Sequence, residues 1–444
     1  MNKLVYLLFG SAMFSGYLSE NVSKYFGLVP ELISGTILLF VMLKVGIDRT
    51  ISLRSPYLIL AGIGALHILA GLAINLVPPG AIINGLRPHL KWLPVFLLPV
   101  LYRFSDEQIG RQLKFLLFLA LLQLPIALYQ RLIEFSTKPT GDVVTGTMGY
   151  GGSGALSVFL AAAIAILTTF YVAGRIRMFT YIILTAALFL PTTINETKVT
   201  VLLLPIAILI PFFYGGHRKI SVLRLAGLGA LVVALFVGYG YIYDYYSKQD
   251  PYGMQIGEFV GNEEAATKYL FSGSDLSNEV LKSNKLGNVK YPKKKLRVGE
   301  GGRRLDNILL PLRSLSGDPA RLWVGIGIGN VSPGFREEFT GEFSHRLSEV
   351  ANEDLLTFQL WETGVGGVVL FLYLLYLLIC DSHQLARSTT AASTLAKGWT
   401  AVLVITIVTL PYAHLVLYNA LIYLFAYFSG HIAAERYRAV HSLP

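Results

Sequence analysis

Long apolar runs alternate with short polar stretches along most of the chain. A hydrocarbon core about 30 Å thick requires about 20 apolar residues per helix, so runs of this length predict membrane-spanning helices. Divided on this rule, the sequence predicts twelve spans, at residues 3–18, 28–46, 57–77, 88–102, 113–132, 151–173, 178–194, 198–214, 222–242, 355–379, 398–411 and 413–432. We therefore expect an all-α polytopic membrane protein with about twelve transmembrane helices.

One long polar segment, residues 244–353, interrupts this pattern between the ninth and tenth spans. A loop of this length is uncommon unless it folds or has a function, so we expect a partly helical extracytoplasmic loop domain. In its sequence RRLDNILLPLRSL the leucines and isoleucine recur at helical spacing, which predicts an amphipathic helix. NEEAATKYLF, in the same segment, is weakly helical. The chain then divides into nine spans in 1–243, the loop domain in 244–353, and three spans with a cytoplasmic tail in 354–444.

Composition and charge agree with a membrane protein. Hydrophobic residues make up 54% of the chain and charged residues 14%, against about 25% charged residues in soluble domains. Basic residues concentrate in alternate connections, for example at Arg54, Arg103, Arg175 and the tail residue Arg436. The positive-inside rule then places both termini in the cytoplasm and accounts for the net charge of +10 without a nucleic-acid partner. The single cysteine, Cys380, excludes an intrachain disulfide.

The glycine-rich stretches do not indicate a nucleotide-binding enzyme. GIGIGN, residues 325–330, follows the strand-like RLWV but lacks the strand–helix–strand context of a dinucleotide site. GYGGSG, residues 149–154, lacks the lysine of a phosphate-binding loop. No histidine and cysteine pairs have zinc spacing, and no aspartate pair indicates a divalent ion. We expect neither a metal nor a cofactor.

Polar and charged residues recur at the span ends that the alternation places on the outer face. An ionisable group near a bilayer is costly and usually faces a cavity or a partner. Arginine binds phosphate oxygens in pairs, so cations on one face suit an anionic lipid head group. The alternative is that these side chains simply extend to lipid phosphates. The residues are Arg87, His89, Lys91, Arg131, Glu196, Lys198, Arg303, Arg304, Asn352, Glu353 and Asp354.

The tenth span has a polar edge. At 100° per residue, several of its polar and small residues fall within a stripe about a quarter of the circumference wide, which predicts a cavity-facing edge. The glycines fit close packing against a neighbouring helix equally well. The stripe contains Asn352, Gln359, Glu362, Thr363 and Gly366.

At these residues the chain resembles a known family. The order of its motifs resembles that of the O-antigen ligase and polymerase superfamily. Members of that superfamily show a Gly-Thr element, a Thr or Ser followed by Arg, an Arg-bearing helix leading to a Gly-any-Gly turn, and a His-Asn element entering a Glu-any-Gly helix. In this chain Lys198 stands where members often have the Arg of the second motif. No single motif is specific, but the order is. The stretches are GTMGYGGSGALSVFLA, INETKVTVLLLPI, GGRRLDNILLPLRSLSGDPARLWVGIGIGN and ANEDLLTFQLWETGVGGVVLFLYLL.

The resemblance implies a GT-C-like glycosyltransferase. Members transfer a glycan from a polyprenyl-diphosphate carrier to a hydroxyl acceptor on the outer face of the inner membrane, without metal or nucleotide. Arg303 or Arg304, together with Lys198, would hold the diphosphate leaving group, where fixed cations stabilise the charge that grows as the bond breaks. The acceptor hydroxyl requires a base within hydrogen-bond reach. The candidates are Glu353, Asp354, Glu196 and His345.

One departure from the pattern favours a polymerase over a ligase. Ala351 precedes Asn352 at the position where ligases of the superfamily have histidine. We therefore expect a polysaccharide polymerase that joins polyprenyl-linked repeat units into an exopolysaccharide or O-antigen. An O-antigen ligase that uses a lipid A core or another acceptor stays open. A flippase for lipid-linked oligosaccharides also stays open, although the chain lacks the internal repeats usual in transporters.

These expectations define a location and partners. The protein would lie in the bacterial inner membrane with both termini in the cytoplasm and the large loop in the periplasm or outside the cell. Its partners would be a polyprenyl-diphosphate-linked oligosaccharide, membrane lipids, and a chain-length regulator or export proteins.

Overall fold

The computed structural model describes residues 1–48, 51–138, 141–214, 222–247, 284–286, 289–291, 304–334, 336–388 and 392–441. Within these ranges the chain is helical apart from turns and one short antiparallel hairpin, β1 (Asn284–Leu286) with β2 (Val289–Tyr291). The first helices are α1 (Asn2–Asn21), α2 (Val29–Asp48), α3 (Ser55–Asn75), α4 (Pro79–Leu90), α5 (Leu93–Leu101), α6 (Asp106–Leu121), α7 (Gln123–Tyr129), α8 (Ser153–Val172), α9 (Met178–Ile194), α10 (Thr200–Phe213) and α11 (Val222–Ser247). The later helices are α12 (Arg304–Leu315), α13 (Pro319–Val324), α14 (Ser344–Ala351), α15 (Leu355–Ala386), α16 (Ala392–Thr409) and α17 (Asn419–His441).

Long apolar helices confirm the prediction of an α-helical membrane protein. In the described ranges, 6 helices are long and apolar enough to cross a membrane. They are Lys24–Ile47, Ser55–Asn75, Asp106–Glu134, Ser153–Val172, Leu355–Ala386 and Ala392–Thr409. Shorter apolar helices are Met178–Ile194, Thr200–Phe213 and Gly229–Tyr241.

The helix α8 forms the centre of the bundle. Its most apolar window is 83% buried, whereas that of α3 is 17% buried, so α3 lies at the periphery and α8 inside. α8 packs against α9, α10 and α16, and α15 packs against α16, α17 and α3. The short helix α5 packs between α2 and α17. The buried core is mostly Leu, Ile, Val, Ala and Phe, as expected of helices that pack closely in a bilayer.

Two local expectations are wrong. The predicted span over 88–102 is broken: α4 ends at Leu90 and a new helix starts at Leu93, with Pro94 in its first turn. At 1.5 Å per residue the 9 residues of α5 rise only about 14 Å, too little to cross a bilayer alone. The strand-like RLWV lies in α13, because the Asp318 side chain caps its first amides and Pro319 occupies the first turn.

The amphipathic helix predicted in the long loop is confirmed as α12, which buries Leu310 and Leu315 and packs against α15. The other loop prediction, the weak helix at 262–271, lies outside the described residues, as does most of the basic stretch that follows it.

The helix α15 is kinked, and a glycine turn packs into the kink. Gly364 has φ 64° and ψ −168°, which is not helical. The carbonyl oxygens of Trp361 and Glu362 accept hydrogen bonds from the backbone N–H groups of Ile326 (2.8 Å) and Gly327 (3.1 Å). The turn at 325–330, excluded above as a dinucleotide site, is thus a packing element that fixes this end of α15.

The polar stripe predicted for the tenth span is not one continuous edge. α14 ends at Ala351 and α15 starts at Leu355, so Asn352 lies in the turn between two helices. The break follows from Asp354, whose side chain caps the first turn of α15 and so sets the start of that helix. Gly366 lies beyond the kink, which rotates it away from the register that a straight helix would give.

Candidate functional site

A polar cavity of about 530 Å³ lies beside α1, α2 and α4. This volume is within the roughly 300–1,000 Å³ typical of ligand pockets. Three cations line it together with two carboxylates and several amides, so the cavity suits a charged ligand with many hydrogen-bonding groups. The polar lining includes Glu20, Lys24, Glu31, Asn84, Arg87, Lys91, Tyr150, Asn352 and Asn419.

The polar cavity is formed by connections that the alternation of spans places on one side. Lys24 follows the first predicted span, Asn84 and Arg87 precede the fourth, and Tyr150 precedes the sixth. Asn352 precedes the tenth span. Connections distant in sequence therefore meet at one end of the bundle.

Arg87 is the most strongly paired cation of the cavity. Its Nε and Nη2 atoms donate to Glu31 Oε2 and Oε1, both at 2.8 Å. This is the two-bond geometry in which a guanidinium binds a carboxylate or a phosphate. The Arg87 side chain is 49% exposed, so the pair stands at the cavity wall and not in the core.

Lys91 and Asn352, proposed from the sequence as substrate-binding residues, also line the cavity. Lys91 Nζ donates to Asn419 Oδ1 at 3.0 Å, and Asn419 in turn donates to Ser15 Oγ at 3.3 Å and to the carbonyl of Gly27 at 3.2 Å. Lys91 is thereby held at the turn between α4 and α5. The broken fourth span thus supplies two cations to the cavity, Arg87 from α4 and Lys91 from the break.

A second cavity of about 950 Å³ is lined almost entirely by apolar residues. It runs among α3, α5, α8, α15, α16 and α17, and its lining includes Gln359. Pro88 and Phe358 line both cavities. A charged compartment therefore adjoins an apolar one at these two residues, which is the arrangement that an amphiphile with a polar head and a long apolar tail requires.

Glu362 anchors the wall between the cavities. It is completely buried, and its Oε2 lies 2.9 Å from His89 Nε2 while its Oε1 accepts a hydrogen bond of 2.8 Å from Ser332 Oγ. The His89 ring stacks on Phe358 with centroids 5.5 Å apart. A buried carboxylate must have such partners to remain in the interior. Glu362 lines neither cavity, so the structure places it behind the site, holding α4 and the glycine turn to α15.

Other predicted residues form a second group. Arg131 Nη2 lies 3.4 Å from Glu196 Oε1, and both side chains are at least 90% buried. Arg131 Nη1 also donates to the carbonyl of Lys138 at 3.3 Å. Lys198 follows in the turn between α9 and α10. None of these residues lines the polar cavity.

The remaining candidate bases lie in or beside α14 and the start of α15. Asp354 is buried, and its oxygens accept 2.8 Å hydrogen bonds from the backbone N–H and the hydroxyl of Thr357. Glu353 accepts a hydrogen bond from Asn307 Nδ2. His345 is exposed on α14. None of the three lines the polar cavity. Arg303 and the side chain of Arg304 lie outside the described residues.

Sequence reasoning missed Glu31, Lys24 and Asn419 as site residues. Lys24 lies in the short connection after α1, Glu31 lies in the first turn of α2, and Asn419 begins the last helix. The contact of Glu31 with Arg87 joins positions 56 residues apart and that of Asn419 with Lys91 joins positions 328 apart, so local patterns carry no signal for either. His89 and Lys91 gave a signal through their alternation with Arg87 ahead of an apolar run.

No group of three or more His, Cys, Asp or Glu side chains that could hold a metal ion occurs in the part of the chain that the structure describes. The fold and the site together define an α-helical membrane protein with a polar cavity adjoining an apolar one. Comparison with protein-family models and with curated proteins found no match to this sequence.

Proposed function

We propose that this protein is a polysaccharide polymerase of the O-antigen ligase and polymerase type. It would transfer a glycan from a polyprenyl-diphosphate carrier to a sugar hydroxyl of a second lipid-linked repeat unit. The observation that carries the proposal is the adjoining pair of cavities, one cationic and one apolar, that share Pro88 and Phe358. A polyprenyl-linked glycan has the same division into charged head and apolar tail.

In this proposal the diphosphate lies beside Arg87 and Lys91 while the polyprenyl tail lies in the apolar cavity. Charge grows on the diphosphate as the glycosidic bond breaks, and fixed cations beside it stabilise the transition state. The sugars of donor and acceptor occupy the polar cavity, whose amides at Asn84, Asn352 and Asn419 provide hydrogen-bonding groups. Arg303, Arg304 and Lys198 remain proposed as further cations for the donor.

The proposal includes a topology. The chain would cross the inner membrane twelve times, with α4 and α5 together serving as the fourth crossing, both termini in the cytoplasm and residues 244–353 outside. The polar cavity would then open towards the outer face, where lipid-linked repeat units are joined. A chain-length regulator or an export protein would act with it.

Replacing each cavity cation by alanine tests the site. Because a hydrogen bond to a charged group contributes about 1.5–3 kcal/mol, we expect Arg87→Ala and Lys91→Ala each to lower transfer of lipid-linked glycan by about 10- to 100-fold. Arg111→Ala is the matched control, since Arg111 is exposed and its pair with exposed Glu107 contributes little. Normal polymer formation by both cavity variants would contradict the assignment of the diphosphate to this cavity.

Deleting the gene separates the proposed function from its alternatives. Loss of a polymerase leaves single lipid-linked repeat units on the outer face of the membrane, which can be measured by mass spectrometry of extracted lipids. Accumulation of long lipid-linked polymer would instead identify a ligase. Retention of single units on the cytoplasmic face would identify a flippase. Either of the last two results would overturn the proposal.

A further inference from the structure

The carboxylates of the polar cavity have different surroundings. Among the lining residues that the structure describes, the carboxylates are Glu20 and Glu31. Glu20 accepts a hydrogen bond from the backbone N–H of Tyr150, at the rim formed by the 141–152 segment. Glu31 instead faces the cations, with both oxygens on Arg87 and with Lys91 near enough to interact electrostatically.

The pair between Arg87 and Glu31 occupies one of the two edges through which a guanidinium binds a phosphate, the edge of Nε and Nη2. A guanidinium binds a phosphate through two parallel N–H groups. In this structure the N–H groups of Arg87 Nε and Nη2 both donate to the carboxylate of Glu31. A diphosphate that takes these donors must displace the Glu31 carboxylate. The pair is partly exposed, with 49% of the Arg87 side chain and 18% of the Glu31 side chain accessible, so this exchange requires no unfolding of buried structure.

We propose that Glu31 is the general base of the proposed transfer and that Arg87 couples donor binding to its release. The inference rests on the proposed function. With no donor bound, both carboxylate oxygens of Glu31 are engaged by Arg87. Once the diphosphate occupies Arg87, Glu31 is free within the polar cavity, beside the leaving group and next to the space available to the acceptor sugar.

The step balances with these groups alone. Glu31 accepts the proton of the acceptor hydroxyl, and the hydroxyl oxygen forms a bond to the anomeric carbon of the donor glycan. The bond from that carbon to the diphosphate oxygen breaks, and its electron pair leaves with the polyprenyl diphosphate beside Arg87 and Lys91. Protonated Glu31 then returns its proton to water through the cavity. Among the residues that the structure describes, the charged and titratable groups that interact with Glu31 are Arg87 of α4, Lys91 of the following turn and Tyr423 of α17, and Glu20 and Lys24 line the same cavity.

The test compares Glu31→Gln and Glu31→Asp in the full-length protein with lipid-linked repeat units as substrate. A base of this kind contributes about 100- to 10,000-fold, so we expect Glu31→Gln to lower kcat at least 100-fold. Binding of polyprenyl diphosphate should be retained or tightened, because the competing carboxylate is gone. Glu31→Asp keeps the carboxylate and should recover part of kcat. The decrease of kcat/KM towards low pH should be present in the wild type and absent in Glu31→Gln.

Glu134→Gln is the matched control, since Glu134 is exposed on the same predicted side and does not line the cavity. An unchanged kcat in Glu31→Gln would overturn the assignment of Glu31 as the general base. Loss of polyprenyl diphosphate binding in that variant would also overturn it, because that result would indicate that Glu31 serves to hold Arg87. Failure of the wild type to transfer any lipid-linked glycan would instead contradict the proposed function itself. The two failures are thus distinguishable in one set of assays.

Discussion

At the scale of single residues, the contacts of Glu362 explain why a carboxylate lies inside a membrane helix. Its two oxygens bind side chains from two other segments, His89 of α4 and Ser332 after the glycine turn. A polar group buried with its partners adds specificity, whereas one left without a partner is costly. Glu362 therefore fixes the relative positions of α4, the turn and α15, and so fixes Pro88 and Phe358 between the cavities.

Removing one partner of Glu362 tests this role. Ser332→Ala leaves Oε1 of Glu362 without its donor, so we expect a loss of about 1–3 kcal/mol in stability, measured as a lower melting temperature of the purified protein. Ser316→Ala is the control, because Ser316 is exposed and its hydroxyl bonds only to the carbonyl of Arg313. Equal melting temperatures for the two variants would contradict the anchoring role.

Asp354 permits a second test at this scale, because its contacts with Thr357 cap the first turn of α15. Asparagine caps a helix about as well as aspartate but cannot act as a base at neutral pH. We expect Asp354→Asn to keep both melting temperature and transfer activity, and Asp354→Ala to lose about 1 kcal/mol of stability. Loss of transfer in a stable Asp354→Asn protein would restore Asp354 as a candidate base.

At the scale of elements, the kink in α15 explains what the sequence could and could not predict there. The apolar run correctly predicts a long helix, and the spacing in RRLDNILLPLRSL correctly predicts α12. The kink at Gly364 depends on the turn at 325–330, a contact between segments far apart in sequence, and periodicity assumes a straight helix. The alternation in RLWV suggests a strand, but Asp318 and Pro319 start a helix there.

Two glycine-to-alanine substitutions distinguish the effect of packing between α15 and the turn at 325–330 from the effect of helix propensity. A Cβ atom on Gly364 would lie 2.4 Å from the backbone N of Gly325, and its φ of +64° strains any other residue. A Cβ on Gly62 in α3 meets nothing within 4 Å. We expect Gly364→Ala to reduce the yield of folded protein, measured by size-exclusion chromatography, while Gly62→Ala stays neutral or gains up to about 1 kcal/mol. A fully folded Gly364→Ala protein would show that the turn can move away from α15.

At the scale of the whole molecule, polar contacts concentrate at the two ends of the bundle. One end contains the polar cavity. At the other end Arg54 pairs with buried Asp381, which also accepts a hydrogen bond of 2.8 Å from the Tyr57 hydroxyl. Arg438 there donates to the carbonyl of Pro99 at 3.1 Å. The alternation of apolar and basic segments could not predict the pair between Glu31 and Arg87, because only the packed bundle brings α2 and α4 together.

The proposed topology can be tested with single cysteines, because the chain has only Cys380 to remove. In a Cys380→Ser background, exposed Thr137 and Ser316 belong to connections predicted outside, and exposed Arg103 to one predicted inside. We expect Thr137→Cys and Ser316→Cys to react with a membrane-impermeant maleimide in intact spheroplasts, and Arg103→Cys only after the membrane is permeabilised, with the background protein unlabelled throughout. The reverse pattern would place the polar cavity on the cytoplasmic face, where a polymerase of repeat units already on the outer face could not act.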